Sequence, residues 1–66
     1  MKQRLVILGA GESGVGAAIL GKQKQYDVFV SDNGMIDSKF KDILREGDVS
    51  FEENKHTIEQ IFNADI

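Results

Sequence analysis

The sequence predicts an α/β fold in which helices flank a parallel sheet. The apolar run Leu5-Val6-Ile7-Leu8 leads directly into the glycine-rich segment Gly9–Gly14. A helical pattern follows, and a second apolar run, Val28–Val30, ends close to the acidic residue Asp32. Strand, glycine turn, helix, strand and acid in this order are typical of a nucleotide-binding βαβ unit. We therefore expect an incomplete Rossmann-like sheet with the element order βαβα, followed by a short strand and a short helix.

The first two predicted elements are a strand at residues 4–8 and a helix from Ser13 to about Lys24. The strand is almost continuously apolar, as expected of a parallel strand that is covered on both faces. Ser13 can cap or open the first turn of the helix. Ala18 and Ile19 have the spacing of a helix face that packs on a sheet.

The middle of the chain predicts a second strand at residues 27–31 and a second helix. Gly34 interrupts the chain after this strand, and Asp37 or Ser38 then offers an N-cap side chain. The helix is expected to end at Gly47, because glycine commonly follows the last helical turn. One face of this helix carries Ile36, Phe40, Ile43 and Leu44.

The C-terminal part of the chain predicts a short strand at 49–51 and a short helix. Thr57 and Gln60 have the spacing of a capping box, in which the two side chains bind amides at the helix start. One face of this helix would carry Ile58, Ile61 and Phe62. Ala64-Asp65-Ile66 then resembles the start of a further strand. We therefore expect residues 1–66 to be a single domain that is truncated before its last strands.

Composition excludes several function classes. The chain has 66 residues and no cysteine, so it holds no disulfide and no thiolate metal site. A formal net charge of −3 argues against nucleic-acid binding, which needs a basic face. No apolar stretch approaches the roughly 18 residues of a membrane span. We therefore expect a cytoplasmic protein with neither a nucleic-acid nor a membrane partner.

Each glycine of the loop has its own use in binding a phosphorylated ligand. Gly9 permits the tight turn, Gly11 lets a phosphate or ribose approach the backbone, and Gly14 lets the helix start close to the sheet. Amides at the helix start favour an anion. Asp32 stands where such proteins place the carboxylate that accepts a hydrogen bond from a ribose hydroxyl. Glu12 adds a negative charge to the loop, which argues against a tightly held pyrophosphate.

The same residues also fit a structure without a ligand. The loop could be a plain βα turn, and Asp32 a strand-end aspartate with few packing contacts. His56 is the only histidine, and we expect it at the surface, before the N-cap of the last helix. No Ser-His-Asp set, paired carboxylates or metal-ligand spacing stands out. We therefore assign no catalytic residue and no metal site.

Three segments of the chain resemble one known family. The glycine loop is followed by the small residues Val15–Ala18, the second strand is followed by Asp32-Asn33, and the last residues are Ala64-Asp65-Ile66. In these features the sequence resembles the N-terminal domain of the Mur ligases, and within them the D-glutamate-adding branch. The resemblance extends over essentially the whole chain. Its specific parts are the glycine loop and Asp32.

The resemblance implies a substrate-binding role. It implies that residues 1–66 belong to the N-terminal domain that holds the UDP part of UDP-N-acetylmuramoyl-L-alanine. The glycine loop would lie against the uridine and the diphosphate, and the end of the second strand against uracil and ribose. The implied binding residues are Gly11, Glu12, Ser13, Gly14, Asp32 and Asn33.

The resemblance also implies that this chain alone is not catalytic. The intact ligases use ATP and Mg²⁺ to phosphorylate a carboxylate of the substrate. The amine of D-glutamate then attacks the resulting acyl phosphate, and phosphate leaves. Their ATP-binding Gly-x-x-Gly-Lys-Thr loop lies in a central domain, and this sequence has no such segment. The chain would therefore have no cofactor of its own and would act with the remaining ligase domains.

Two other functions fit the sequence. An NAD-binding domain of an oxidoreductase or a redox-sensing regulator has the same glycine spacing, and Asp32 would favour NAD over NADP. A structural or assembly module is the third alternative, because a parallel sheet of two or three strands exposes an edge that can pair with another chain. On this third interpretation we expect the chain to self-associate.

Overall fold

The computed structural model describes residues 2–66, which form a three-stranded parallel sheet with helices. The elements, in chain order, are β1 (Arg4–Leu8), α1 (Glu12–Gln23), β2 (Asp27–Ser31), α2 (Ser38–Glu46), β3 (Ser50–Glu52) and α3 (Ile58–Ile61). The strand order is β1-β2-β3, and both neighbouring pairs are parallel. This architecture confirms the predicted α/β class and the incomplete Rossmann-like sheet. No helix within residues 2–66 is long and apolar enough to cross a membrane.

One face of the sheet packs against α1 and carries the core. Leu5 pairs with Val28 and Ile7 pairs with Val30, so these alternate side chains share a face. Helix α1 contacts β1, β2 and α2. The core therefore lies between the helices and this face of the sheet. Its buried apolar residues are Ala10, Val15, Ala18, Val28, Val30, Ile36, Leu44 and Val49.

Helix α1 packs closely against the sheet along its small residues. Ala18 is fully buried and Ile19 is partly buried, as predicted for the face that meets the sheet. A Cβ atom at Gly21 would lie 2.7 Å from Leu5 Cδ2 and 3.2 Å from Val28 Cγ2. The glycine in the helix interior is therefore explained by the short distance between α1 and strands β1 and β2.

Helix α2 begins and ends where the sequence predicts. The Asp37 side chain accepts a hydrogen bond from the Lys39 amide at 3.1 Å, and Gly47 is the C-cap. Leu44 is fully buried, whereas Ile43 remains 41% exposed. The apolar spacing therefore identified the packed face of this helix, and Ile43 lies at the solvent-accessible edge of that face.

Two element boundaries differ from the prediction by a residue. Helix α1 begins at Glu12 with Gly11 as its N-cap, so Ser13 lies inside the first turn and does not cap it. Strand β3 occupies Ser50–Glu52, one residue later than expected. The backbone of Gly11 is extended, so the helical conformation begins at the next residue, Glu12.

Helix α3 is held by tertiary hydrogen bonds instead of the predicted capping box. The Thr57 hydroxyl donates to Glu52, and the Gln60 side-chain oxygen accepts a hydrogen bond from Arg4 Nη2 at 2.7 Å. Hydrogen bonds to charged groups are stronger than neutral ones, which explains why the box does not form. Two residues of the predicted apolar face, Ile58 and Phe62, remain 61% and 81% exposed.

The last residues pair with the free side of β1. The Arg4 carbonyl accepts hydrogen bonds from the amides of Asp65, at 2.8 Å, and Ile66, at 3.2 Å. The Val6 amide donates to the Ile66 carbonyl at 3.2 Å. This is the pattern of parallel pairing, and it uses the residues of β1 that alternate with those bonded to β2. The predicted start of a further strand is therefore paired with β1.

Gly14 and Gly16 provide a matched test of this close packing. A Cβ atom at Gly14 would lie 2.0 Å from the Gly9 carbonyl oxygen, whereas one at Gly16 would meet no atom within 4 Å. We expect Gly14→Ala to lower the free energy of unfolding by about 2–3 kcal/mol, because the backbone must move. Gly16→Ala should raise it by up to about 1 kcal/mol through helix propensity. Urea unfolding measures both, and equal stability of the two variants would contradict the close approach.

Candidate functional site

The candidate site lies at the carboxyl ends of the three parallel strands. The glycine loop, residues 9–14, follows β1, Asp32 follows β2, and residues 53–57 follow β3. Ligands of open α/β sheets bind in the crevice outside these strand ends. The structure therefore brings the predicted loop and the predicted acid to one edge of the sheet.

The glycine loop turns sharply and leaves its centre open. Gly9 has a φ of 102°, in the left-handed region that favours glycine, and its amide donates to the Ser31 carbonyl at 2.8 Å. A Cβ atom at Gly11 would meet no atom within 4 Å, and residues 11–13 are exposed. The amino end of α1 is therefore accessible to an anion.

Asp32 joins the glycine loop to the segment after β2. Its Oδ2 accepts a hydrogen bond from the Ala10 amide at 2.7 Å, and its Oδ1 accepts one from the Gly34 amide at 2.8 Å. These two bonds hold the pKa of Asp32 below its usual value; burial opposes the shift in part, and nearby His56 adds to it. Contrary to the interpretation of Asp32 as a residue with few contacts, its carboxylate is part of the local structure.

Backbone hydrogen bonds fasten the segment after β3 to the segment after β2. The Asp32 amide donates to the Glu52 carbonyl at 3.1 Å, and the Lys55 amide donates to the Asp32 carbonyl at 3.2 Å. The Asn54 amide donates to the Gly34 carbonyl at 2.9 Å. Residues 53–57, which we call the outer loop, therefore form a side of the site that the sequence analysis did not include.

A polar network beside the outer loop centres on Ser31. This serine is 0% exposed and is the only buried polar residue among residues 2–66. Its Oγ lies 2.8 Å from Glu52 Oε2 and 2.6 Å from His56 Nδ1. Glu52 also accepts hydrogen bonds from the amide and the hydroxyl of Thr57, which hold its pKa below its usual value. The network therefore ties His56 and the start of α3 to the end of β2.

The network is not a catalytic triad. A triad places the histidine between the acid and the nucleophile. Here Glu52 and His56 both contact the same hydroxyl, and that hydroxyl is shielded from solvent. The prediction that His56 lies at the surface before the N-cap of α3 is confirmed. Its bond to Ser31 was not predicted, because the only signal was a serine at the end of an apolar strand.

The predicted binding residues are accessible but lie in an acidic environment. Gly14 and Asp32 are half-buried, and the exposed ones are Gly11, Glu12, Ser13 and Asn33. The carboxylates of Glu12, Asp32 and Glu52 belong to the loop and the strand ends. Lys55 in the outer loop is the positive charge that acts on Glu52. Within residues 2–66, no group of three or more histidine, cysteine, aspartate or glutamate side chains could hold a metal ion.

An open groove of about 500 Å³ lies at the opposite end of the sheet. It is lined by Lys2, Gln3, Lys24, Gln25 and Tyr26. These residues precede β1 and β2, whereas the glycine loop and Asp32 follow those strands. The groove is therefore separate from the predicted site.

Comparisons with known proteins agree on one family. Residues 4–66 match the sequence profile described as "MurD N-terminal domain". The chain is similar to proteins named UDP-N-acetylmuramoylalanine–D-glutamate ligase. It is 50% identical to the one from Christiangramia forsetii over 100% of this chain, 54% identical to that from Bacteroides thetaiotaomicron over 96%, and 36% identical to that from Chlorobium chlorochromatii over 96%. It spans 15%, 14% and 13% of their respective lengths. No solved structure matches the chain at a significant level.

Acid should destabilise the protein through the carboxylates at this edge. Backbone amides hold the pKa values of Asp32, Glu52 and Glu53 below their usual values. Such a carboxylate stabilises the fold above its unfolded-state pKa, and this stability is lost as pH falls through the folded-state pKa. We therefore expect the free energy of unfolding to decrease below about pH 4.5.

Urea unfolding at several pH values between about 7 and 3 measures this dependence. Asp32→Asn should weaken the dependence, because it removes one of the carboxylates with a lowered pKa. Asp42→Asn is the matched control, since Asp42 is an exposed acid that is paired only with Arg45 at 3.7 Å. A transition midpoint that does not change with pH would contradict the structural role of these carboxylates.

Proposed function

Because the chain belongs to the MurD N-terminal domain family, we propose that it binds the UDP moiety of UDP-N-acetylmuramoyl-L-alanine. In this proposal it is the substrate-binding part of a cytoplasmic ligase that adds D-glutamate during peptidoglycan synthesis. The named relatives are D-glutamate ligases, and this chain matches 13–15% of their length. Its role is therefore to hold the nucleotide end of the substrate.

One observation carries the proposal: the glycine loop and Asp32 are joined at a single edge. The 2.7 Å hydrogen bond from the Ala10 amide to Asp32 Oδ2 sets the distance between the loop and the acid. Gly11 leaves open space beside the start of α1. A diphosphate on the loop amides would therefore have its ribose close to the Asp32 carboxylate.

The Asp32 carboxylate can serve the structure and the ligand together. An ionised carboxylate has about four acceptor positions. The amides of Ala10 and Gly34 occupy one position on each oxygen. The remaining positions can accept hydrogen bonds from ribose hydroxyls, and the exposed Asn33 beside it offers both a donor and an acceptor.

Glu12 and Ser13 would contact the nucleotide through their backbone amides. Both are exposed residues in the first turn of α1, where amide groups lack helical partners. The Glu12 carboxylate repels a diphosphate, so its side chain must point away from the ligand or the binding must be weak. The backbone is consequently the main source of diphosphate binding in this loop.

The chemical step of the proposed ligase lies outside this chain. ATP and Mg²⁺ would supply phosphoryl transfer to the substrate carboxylate. The residues present do not fit either group: the sequence has no Gly-x-x-Gly-Lys-Thr segment, and residues 2–66 hold no cluster of metal ligands. We therefore assign to this chain substrate binding alone, and to the remaining domains the reaction with D-glutamate.

NAD is the second candidate ligand, because the position of Asp32 suits NAD and UDP alike. A carboxylate at the end of β2 accepts hydrogen bonds from the ribose of NAD as well as from that of UDP. Family membership favours UDP. Amide NMR titration of the chain with UDP, and separately with NAD, tests the proposal. We expect shifts at Gly11–Gly14 and Asp32 with UDP; the same shifts with NAD alone would overturn it.

Gly11→Val tests whether the open centre of the loop is the binding surface. The φ of Gly11 is −81°, and its Cβ position is empty, so valine should fit without a steric clash. Because Gly11 is the N-cap of α1, we expect a loss of about 1 kcal/mol of stability. The valine side chain would occupy the approach of the diphosphate, and we expect UDP affinity to fall at least about tenfold. Gly16→Val is the matched control, because that position is also empty. Equal UDP affinity in both variants, measured by calorimetry, would place the ligand elsewhere.

A further inference from the structure

His56 is exposed, yet one of its ring nitrogens is held by a buried group. Its Nδ1 lies 2.6 Å from the Oγ of Ser31, which is 0% exposed. The ring is thus anchored on the protein side, while its other nitrogen, Nε2, takes no part in that bond. An exposed side chain usually loses conformational entropy when it is ordered in this way, so the arrangement calls for an explanation.

The hydrogen-bond network assigns the protonation of the two ring nitrogens. The Ser31 hydroxyl has one proton and two neighbouring acceptors, Glu52 Oε2 at 2.8 Å and the Lys55 carbonyl at 3.2 Å. Both of these groups can only accept, so the hydroxyl proton is directed to one of them. His56 Nδ1 must then carry a proton and donate it to Ser31 Oγ. In the neutral ring, Nε2 is consequently an acceptor.

The position of His56 follows the order of groups in a nucleotide. The phosphate-binding loop follows β1, the ribose-binding acid follows β2, and the outer loop with His56 follows β3. Neighbouring strands are about 4.8 Å apart, so each step along the edge is one strand spacing. The Lys55 amide, next to His56, donates to the Asp32 carbonyl at 3.2 Å. A nucleotide laid from β1 towards β3 therefore presents its base to the outer loop.

We propose that His56 contacts the base of the bound nucleotide and selects uracil. This inference rests on the proposed function, because it assumes that the diphosphate and ribose occupy the glycine loop and Asp32. Uracil carries a hydrogen on its ring nitrogen N3, whereas cytosine carries a lone pair there. A neutral His56 with an acceptor at Nε2 pairs with the uracil N3–H and repels the cytosine lone pair. Ser31 is the positioning residue that presents Nε2 to the base.

The test compares UDP with CDP on the same 66-residue chain, by amide NMR titration and calorimetry. We expect wild-type protein to bind UDP about fivefold or more tightly than CDP, the value of one net hydrogen bond. His56→Ala should lower the UDP affinity by about the same factor and leave the CDP affinity unchanged. His56→Gln, whose side-chain oxygen is also an acceptor, should recover part of the difference. Lys55→Ala is the matched control, and it should change both affinities equally.

The ¹⁵N resonances of the His56 ring distinguish direct contact with the base from a purely structural role of His56. On addition of UDP, the ¹⁵N resonance of His56 Nε2 should move. The resonance of Nδ1, which is bonded to Ser31, should keep the chemical shift of a protonated nitrogen. Unchanged UDP and CDP affinities in both His56 variants, with glycine-loop amides still shifted by UDP, would overturn the role of His56 and leave the proposed function standing. No glycine-loop shift with either nucleotide, in a wild-type chain with a dispersed spectrum, would overturn both.

Discussion

The hydrogen bond from the Ala10 amide to the Asp32 carboxylate is the constraint on which the candidate site depends. It spans 2.7 Å and joins the turn after β1 to the end of β2. The parallel register brings Leu8 opposite Ser31, so the two strand ends are already level. The carboxylate then fixes the glycine loop relative to the second strand, and the Gly34 amide fixes the carboxylate itself. The structural role of the Asp32 carboxylate is thus compatible with the ligand-binding role proposed for it.

Charge at this edge determines what kind of binding is physically reasonable. Carboxylates of Glu12, Asp32 and Glu52 lie in or beside the site, and Asp32 and Glu52 remain ionised because hydrogen-bond donors lower their pKa values. In the proposed site, oriented amides would attract a phosphate without adding a titratable charge. Lys55 in the outer loop is the positive side chain beside Glu52. The polar sugar and base suit the carboxylate and the outer loop better. Under the proposed function, this division would let an acidic chain with a net charge of −3 hold a phosphorylated ligand.

Elements that depend on local interactions were predicted from the sequence, whereas contacts between distant residues were not. Strands β1 and β2 and helix α2 were predicted at or within one residue of their ends, because apolar spacing, the Asp37 cap and Gly47 are local signals. The prediction of a capping box at α3 was wrong, because Gln60 and Thr57 form hydrogen bonds with Arg4 and Glu52 instead. The structural role of the Asp32 carboxylate and the outer loop beside it were also missed. The Ala10 partner of Asp32 and the Ser31 partner of His56 lie 22 and 25 residues away in sequence, where spacing carries no information.

The sequence by itself determined the α/β class, the parallel direction of the strands and the positions of the glycine loop and the acid. These depend on the periodicity of apolar residues and on backbone conformations that only glycine adopts readily, as at Gly9 with its φ of 102°. The tertiary structure alone decided that the outer loop joins the site and that His56 is anchored to a buried serine. Such pairings are set by which strand ends are neighbours in the sheet, and the resulting distances arise only when the chain folds.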